Sequence, residues 1–387
     1  MTDRGAVIRT IIRISLDGTP LTDEHVAVLG WATFPYMQGP QERAHSVFLL
    51  AGVAKSDTKV LSQRIVDTLN RFWPSPFIVC LEEESITFEL SPVIGGDFKF
   101  LLASIQDNRP RQCVWCSFKR PGSNRQKMIA SLSDEYDSLR MCWGDYAIER
   151  ALDTAPRIIC SLHARMRLTE WMATLWLRAS AQIKGKKGLM CSVLRELNVG
   201  CNATTMKCSM NGKTATNFLS LVEDEHTIFG STIGSSEHFN DLMVIHKALW
   251  NIFRILRQLE NDELFEIAEI RTQIGDFVDE IGSRCVPIIH SGICSYLPVY
   301  FHIFRCHLLE FVDQFSVVDS FSQQSCEGLN KVFRDHYRNV SWAPRRARTA
   351  STVSNQGEFE QTTISSNALL RIVDAVLKMN ISKEKIN

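Results

Sequence analysis

The chain has 387 residues, of which 45% are hydrophobic and 22% are charged, as expected for a folded globular protein with a sizeable core. Its 43 Lys and Arg residues balance 43 Asp and Glu residues, which excludes a global attraction to nucleic acid and leaves that role to local patches. No apolar run is long enough to span a membrane and the N-terminus lacks an apolar signal core, so we predict no membrane contact and mostly free cysteines in a reducing compartment.

The first hundred residues are predicted to be rich in β-strands. Apolar runs bounded by turn residues predict strands over Val7–Leu16, Val26–Phe34, His45–Val53, Phe77–Leu81 and Ile86–Leu90, the first three forming a meander. A helical rhythm of apolar residues follows Asp57 and runs from Val60 to Phe72. Ile94–Asp97 is predicted to be a turn that leads into a second helix, Phe98–Ile105.

The remainder of the chain is predicted to be mainly helical. Helical periodicity covers Leu162–Ile183, Leu189–Leu197, His238–Leu259, Asp262–Ile281, Tyr300–Phe315 and Cys326–Tyr337. Residues 341–365 are polar and predict a flexible linker, followed by a closing helix over Ser366–Met379. Trp171 and Trp176 lie on the helix predicted over Leu162–Ile183, and we expect both side chains to pack in the protein core rather than to stack on bases.

Two short motifs suggest a zinc site. Cys113 and Cys116 form a C-x-x-C turn, and His302 and His307 form an H-x4-H pair, both within the spacings that zinc sites use. On an ideal helix the two histidines would be rotated by roughly 140° from each other. They can face one ion only if His302 lies near the start of the helix or if the helix deforms. Cys306 is an alternative thiolate ligand.

Three acidic residues are candidates for binding catalytic metal ions. Asp17 ends a predicted strand, Asp97 follows Gly95-Gly96, and Glu327 begins a predicted helix. Phosphoryl transfer assisted by Mg²⁺ needs two or three carboxylates that converge from different elements, because this ion prefers hard oxygen ligands. Each residue also has an ordinary structural interpretation: a turn former, an N-cap and a first-turn acid, respectively.

Basic side chains form three local clusters that are candidates for nucleic-acid contact. They comprise Arg109, Arg111, Lys119, Arg120, Arg125 and Lys127; Lys184, Lys186 and Lys187; and Arg345, Arg346 and Arg348. Runs of charge are more often solvated surface than binding sites, so both interpretations stay open for each cluster.

Taken in order, these motifs resemble the catalytic core of the recombination-activating recombinase of V(D)J recombination and its relatives among the DDE transposases. The resemblance extends from about Ile14 to Tyr337. The matching positions are Asp17 before Gly18, Asp97 after Gly95-Gly96, Cys113, Cys116, Met210-Asn211-Gly212, His302, His307, Glu327, and Asn330-Lys331-Val332-Phe333-Arg334. The interval of twenty residues between His307 and Glu327 is similar too.

The resemblance implies an α+β fold in which an RNase H-like mixed sheet is interrupted by a large, mainly helical zinc-binding insertion. The implied division is a catalytic core over residues 8–112, the insertion over 113–310, a helix completing the core over 311–340, and a basic, polar tail over 341–387. Asp17, Asp97 and Glu327 would bind two Mg²⁺ or Mn²⁺ ions and catalyse DNA nicking and strand transfer. Cys113, Cys116, His302 and His307 would bind one structural Zn²⁺, which would also orient the helix of Glu327.

The same resemblance implies double-stranded DNA as a partner, a homodimer and a nuclear location. The sequence before Ile14 leaves no room for the DNA-binding region of the family, so we expect an accessory protein to target DNA, unless the gene model is truncated. An alternative class stays open, in which the chain is a domesticated, catalytically inert module that is stabilised by zinc and binds DNA or protein.

Overall fold

The fold is described from a computed structural model of the chain. It describes residues 7–20, 26–33, 47–54, 78–81, 84–104, 113–116, 118, 124–130, 157–224, 228–234, 236–258, 267–308, 311 and 327–331. The chain divides into two compact units. The first combines Met1–Asp107 with Gln323–Asn387, and the second is the continuous segment Asn108–Ser322.

The first unit contains a mixed sheet whose strands lie in the order β3-β2-β1-β5-β4. The strands are β1 Val7–Pro20, β2 Val26–Thr33, β3 Val47–Ala54, β4 Ile78–Leu81 and β5 Glu84–Gly96. The meander of β1, β2 and β3 is antiparallel, whereas β5 lies parallel to β1 and antiparallel to β4. These strands confirm the predicted meander and the two strands that follow it. The helix predicted from Val60 to Phe72 lies outside the described residues.

Strand β5 is longer than its sequence predicts. The predicted turn at Ile94–Asp97 is wrong, because β5 continues to Gly96 and helix α1, Phe98–Ser104, begins two residues later. Eight residues of β1, from Val7 to Ile14, pair with this strand as far as Ile94, four residues beyond the predicted end of the strand at Leu90. A Cβ atom at Gly96 would collide with the ring of Phe100, so this position needs glycine for the helix to pack on the strand.

The second unit is mainly helical. Its helices are α2 Arg125–Ala130, α3 Ser161–Ala181, α4 Lys186–Glu196, α5 Gly212–Ser220, α6 Ile228–Ile233, α7 Phe239–Gln258, α8 Ile267–His290 and α9 Val299–Cys306. It also contains a short strand β6, Arg157–Ile159, and a hairpin of β7 Gly200–Asn202 and β8 Lys207–Ser209. Helix α3 packs against α4, α5, α7 and β8, and α7 lies along α8. The model is therefore mixed α+β with most of its helices in this unit.

Several helix boundaries differ from the sequence prediction. Helix α8 continues nine residues beyond the predicted end at Ile281, and Pro287 in its last turn removes one N–H donor from the helix. Helix α9 ends at Cys306, within the predicted Tyr300–Phe315; Leu308 and Phe311 are helical again, and the other residues from 309 to 315 lie outside the described part of the chain. The predicted linker over 341–365 and the closing helix over Ser366–Met379 lie outside the described residues. Among the described helices, none combines the length and apolar character needed to cross a bilayer.

The core of the second unit is built around aromatic side chains. Trp171 and Trp176 are buried, which confirms that both are core residues. The ring of Trp176 stacks on Phe229 with 4.5 Å between centroids. The indole N–H of Trp176 also points at Nδ1 of His246, 3.4 Å away. Nε2 of His246 lies 3.1 Å from the carbonyl oxygen of Phe218. An imidazole that donates through Nε2 and accepts through Nδ1 is neutral, so this histidine is part of a neutral core.

The buried His246 predicts an acid-sensitive core. Burial lowers the pKa of His246 from 6.5 to about 4, so the unfolded chain binds more protons than the folded chain between these pH values. The free energy of unfolding should therefore fall as the pH is lowered from 6.5 to 4, by on the order of 3 kcal/mol from this residue. The His246→Gln variant should lose this component, measured by urea unfolding at several pH values. The exposed His290→Gln control should keep it; an unchanged pH dependence in His246→Gln would contradict the assignment.

Candidate metal centre

Cys113 and Cys116 lie in a tight turn of the second unit. The backbone N–H of Cys113 donates to the carbonyl oxygen of Phe118 at 2.8 Å, which closes the turn. Two further N–H groups point at the sulfurs: that of Trp115 lies 3.4 Å from Sγ of Cys113, and that of Phe118 lies 3.4 Å from Sγ of Cys116. These donors favour negative charge on sulfur, so the turn is organised for thiolates.

His302 and His307 lie on either side of a helix break. His302 is the fourth residue of α9, and His307 follows its last residue with φ −125° and ψ −27°, outside the helical region. The N–H of His307 still donates to Ile303 at 2.8 Å, and Leu308 and Phe311 are helical again. This break supplies the deformation that the H-x4-H spacing requires, and the two Nε2 atoms lie 3.1 Å apart.

The four side chains form one buried cluster. Sγ of Cys113 lies 3.3 Å from Nε2 of His307, and Sγ of Cys116 lies 3.1 Å from Nε2 of His302. All four ligand atoms lie within 4.8 Å of one another. A tetrahedral zinc ion with bonds of about 2.3 Å to sulfur and 2.0 Å to nitrogen would place neighbouring ligand atoms roughly 3.3–3.8 Å apart. The donor set and its spacing therefore fit a tetrahedral ion such as zinc after small adjustments.

The electrostatics of the cluster also favour a cation. The hydrogen bond from Cys113, aided by the two imidazoles, lowers the pKa of Cys116 to about 2. Burial raises the pKa of Cys113, and it lowers the pKa of His307. These directions favour the thiolate of Cys116, the thiol of Cys113 and the uncharged imidazole of His307. A divalent cation would displace the remaining thiol proton and neutralise both sulfurs.

Aromatic rings enclose the cluster. The ring of Phe118 stacks on His302 with 3.9 Å between centroids, and Trp115 lies 5.7 Å from the ring of His307. Trp115 also contacts Phe311 and donates its indole N–H to the carbonyl oxygen of Arg157 at 3.0 Å. These rings fix the planes of the imidazoles and exclude water from the ligands. The sequence motifs alone did not predict their role.

The alternative ligand, Cys306, does not belong to the cluster. The group of ligand atoms found among the described residues comprises only Cys113, Cys116, His302 and His307. Cys306 is half-buried and lies at the end of α9, one position before the break. The backbone rotation at His307 turns that imidazole, rather than the preceding thiol, toward the cysteine turn.

The three candidate acids belong to the first unit. Asp17 lies in β1 and Asp97 directly follows β5; each comes three residues after Ile14 and Ile94, the last pair of the parallel ladder between these strands. The side chain of Asp17 lies outside the described part. The carboxylate of Asp97 accepts a hydrogen bond of 2.6 Å from the N–H of Phe100, so Asp97 is the N-cap of α1. This structural role leaves its second oxygen available to another ligand.

The helical segment 327–331 carries Glu327 and is attached to the sheet. The indole N–H of Trp31 in β2 donates to Oδ1 of Asn330 at 2.9 Å, and both side chains are buried. Trp31 is paired with Ser15 of β1, two residues before Asp17. Glu327 is half-buried and lies three residues before Asn330, one helical turn away. This hydrogen bond therefore fixes the helix of the third acid close to the strand of the first. Nothing in the sequence patterns pointed to it.

The basic clusters are described only in part. Arg125 and Lys127 are exposed on α2, and Arg125 donates to the carbonyl oxygen of His290 at 3.2 Å. Lys184, Lys186 and Lys187 lie where α3 ends and α4 begins. The other members, Arg109, Arg111, Lys119, Arg120, Arg345, Arg346 and Arg348, lie outside the described residues.

The Met210-Asn211-Gly212 motif has a local structural role. The side chain of Asn211 caps α5 by accepting from the N–H of Thr214 at 2.9 Å. A Cβ atom at Gly212 would collide with Leu162, so glycine lets α5 approach α3.

No protein-family model matches the chain, and the curated proteins searched contain no match.

The cluster predicts a matched pair of cysteine variants. In the Cys113→Ser variant, the zinc content should fall from about one ion per chain to a small fraction. Its free energy of unfolding should fall by several kcal/mol, because a structural ion contributes directly to folding. The Cys306→Ser variant should keep both zinc and stability. Metal analysis of the purified proteins and thermal unfolding measure these effects. Loss of zinc in Cys306→Ser with retention in Cys113→Ser would show that the ligand set is wrong.

Proposed function

We propose that this protein is the catalytic core of a DDE-type DNA transposase or recombinase, with an RNase H-like first unit and a zinc-stabilised second unit. The observation that carries the proposal is that Asp17 and Asp97 each come three residues after Ile14 and Ile94, the last pair of the parallel ladder between β1 and β5. The carboxyl ends of such strands meet at one edge of a sheet, where open mixed sheets commonly bind their ligands.

The helix of Glu327 supports the same interpretation. Its attachment through Asn330 to Trp31 of β2, the neighbour of β1, supports an approach of this third acid to Asp17, although Glu327 lies 310 residues from Asp17 and 230 residues from Asp97 in sequence. The division of the first unit into Met1–Asp107 and Gln323–Asn387 explains how one active site can use both ends of the described chain. Carboxylate oxygens are the ligands that Mg²⁺ and Mn²⁺ prefer, and acids on separate elements can approach such ions from different directions.

In this mechanism Asp17, Asp97 and Glu327 would hold two Mg²⁺ or Mn²⁺ ions. Such ions activate the attacking oxygen and stabilise the leaving oxygen when they are bound. The chain itself contributes the orientation of the carboxylates. The hydrogen bond from Phe100 holds one oxygen of Asp97 in place, so the remaining oxygen has a restricted direction. The buried hydrogen bond at Asn330 restricts the helix of Glu327 in the same way.

The Cys113, Cys116, His302 and His307 cluster would bind the structural Zn²⁺ of the second unit and take no part in the chemistry. Double-stranded DNA is the proposed substrate. A nuclear location, a homodimer and an accessory protein for targeting DNA belong to the same proposal. The exposed or half-buried cations at Lys184, Lys186 and Lys187 support contact with phosphates by their charge.

The proposal predicts a metal-dependent nicking activity that needs the acids. Asp97→Asn is a sharper variant than Asp97→Ala, because asparagine keeps the N-cap of α1 and removes only the charge. We expect Asp97→Asn and Glu327→Gln to lower nicking of supercoiled plasmid with Mn²⁺ by at least about a hundredfold, since even residues that merely support metal ligands cost 10–100-fold. Zinc content and thermal unfolding should stay unchanged.

The exposed acid Asp276 provides a control for this experiment, because Asp276→Asn makes the same chemical change on α8 of the second unit. It should nick at the wild-type rate. Nicking by Asp97→Asn at the wild-type rate would show that the proposed catalytic triad is wrong. A wild-type chain that binds DNA and zinc but never nicks would instead favour the inert, domesticated module.

The Trp31–Asn330 hydrogen bond predicts an energetic coupling. Trp31→Phe removes the donor of this buried hydrogen bond, and Asn330→Leu removes its acceptor. Each variant should lower the free energy of unfolding by about 1–3 kcal/mol. The double variant should lose less than the sum, because both polar groups are then absent. Urea unfolding of the four proteins measures the cycle, and all three variants should also nick more slowly than wild type. Additive losses with normal nicking would show that this contact does not position Glu327.

A further inference from the structure

Three cysteines outside the metal centre meet where α4 joins the β7–β8 hairpin. Cys191 lies in the second half of α4, Cys201 lies in β7, and Cys208 is paired with Cys201 across the hairpin. Sγ of Cys191 is 2.9 Å from Sγ of Cys201, and all three residues are free thiols. Neither the metal cluster nor the acidic residues use these side chains.

The short connection between α4 and β7 holds the first two thiols together. Helix α4 ends at Glu196, and the N–H of Asn198 donates to the carbonyl oxygen of Arg195 at 2.9 Å. Asn198 has a left-handed φ of 60°, and the N–H of Val199 donates to Leu194 at 2.8 Å. The chain reverses within three residues, so contact between the cysteines is set by local backbone hydrogen bonds.

We propose that Cys191 and Cys201 are an oxidation site that a hydroperoxide converts reversibly into an intramolecular disulfide. The two sulfurs need to approach from 2.9 Å to the disulfide bond length of about 2.05 Å. The resulting bond would tie the end of α4 covalently to the hairpin that packs on α3. This inference does not depend on the proposed nuclease activity.

The geometry selects Cys191 rather than Cys208 as the partner of Cys201. Cys201 and Cys208 are directly opposite each other in an antiparallel pair. Residues in that position have Cβ atoms about 4.5–5.5 Å apart, whereas a disulfide needs about 3.5–4.5 Å. The backbone N–H of Cys208 is also held by Thr174 of α3 at 3.3 Å, which opposes movement of β8 toward its neighbour.

The reaction consumes one hydroperoxide for each disulfide. Cys201 is half-buried while Cys191 is 3% exposed, so the oxidant reaches Cys201 first. The sulfur of Cys201 attacks the O–O bond and becomes a sulfenic acid, and the first oxygen leaves as water. The sulfur of Cys191 then attacks the sulfenic sulfur, the S–O bond breaks, and the hydroxyl group takes up the thiol proton and leaves as the second water. Two electrons pass from the two sulfurs to the peroxide.

The surroundings keep the pair reduced until a strong oxidant is present. Burial, followed by the hydrogen bond from Cys191, raises the pKa of Cys201 to about 12. Burial likewise raises the pKa of Cys208 to about 11. Peroxides and small disulfides both react with the thiolate, which is scarce at such values, so we expect oxidation of the pair to be slow and to need an excess of hydrogen peroxide.

The test uses the full-length protein loaded with zinc and treated with hydrogen peroxide, followed by alkylation with N-ethylmaleimide and peptide mass mapping. We expect a crosslinked peptide that contains Cys191 and Cys201 and is lighter by two hydrogen atoms. Labelling of these two cysteines should fall by at least about fivefold and should recover after treatment with dithiothreitol. Release of zinc, followed with a chromogenic chelator, sets an oxidant dose that spares Cys113 and Cys116.

Matched serine variants distinguish this site from general thiol oxidation. Cys191→Ser and Cys201→Ser should lose the crosslink, and Cys208→Ser should keep it. A crosslink between Cys201 and Cys208 would overturn the proposal. Full labelling of both cysteines after peroxide, or oxidation of Cys201 to a sulfinic acid with Cys191 still free, would overturn it as well.

Discussion

The second unit depends on one constraint, the closure of the chain by the Cys113, Cys116, His302 and His307 cluster. The cluster joins residues that are 186 and 194 positions apart. Closing a loop of that length costs about 5 kcal/mol of chain entropy. Hydrogen bonds between neutral groups contribute only about 1 kcal/mol each, whereas a structural zinc ion contributes on the order of 10 kcal/mol. A zinc ion bound at the cluster would therefore be the strongest single interaction in this closure.

The details of the cluster follow from that constraint. A helix that continued regularly past Cys306 would turn the two imidazoles away from each other. The break at His307 removes this conflict and leaves the helical residues Leu308 and Phe311 on the far side. Phe118 and Trp115, which come from the cysteine turn, then pack on the two imidazoles. The turn thus supplies both the sulfur ligands and the apolar surface that shields the histidines.

In the first unit, strand pairing and one buried hydrogen bond, rather than a Cys/His cluster, hold distant segments of the chain together. Asp17 and Asp97 each follow the last pair of the β1–β5 ladder by three residues, and a single buried hydrogen bond attaches the helix of Glu327 to β2. A buried indole N–H without an acceptor is costly, so this bond constrains the helix more strongly than an exposed one would. Asp97 shows that a structural role and a proposed catalytic role can share one residue, because capping occupies only one of its two oxygens.

The sequence determined the features that depend on local pattern. Apolar runs bounded by turn residues predict the strands β1 to β4. The C-x-x-C and H-x4-H spacings identify all four members of the cluster, and helical periodicity predicts Trp171 and Trp176 as core residues. Only the tertiary structure decided where β5 and α9 end, that Cys306 stays outside the cluster, that Trp31 holds Asn330, and that Cys191 meets Cys201. The reason is physical: strand periodicity and ligand spacing are set by neighbours along the chain. The pairing of β5 with β1, the break at His307 and the partner of a buried indole are set by segments that meet only after folding.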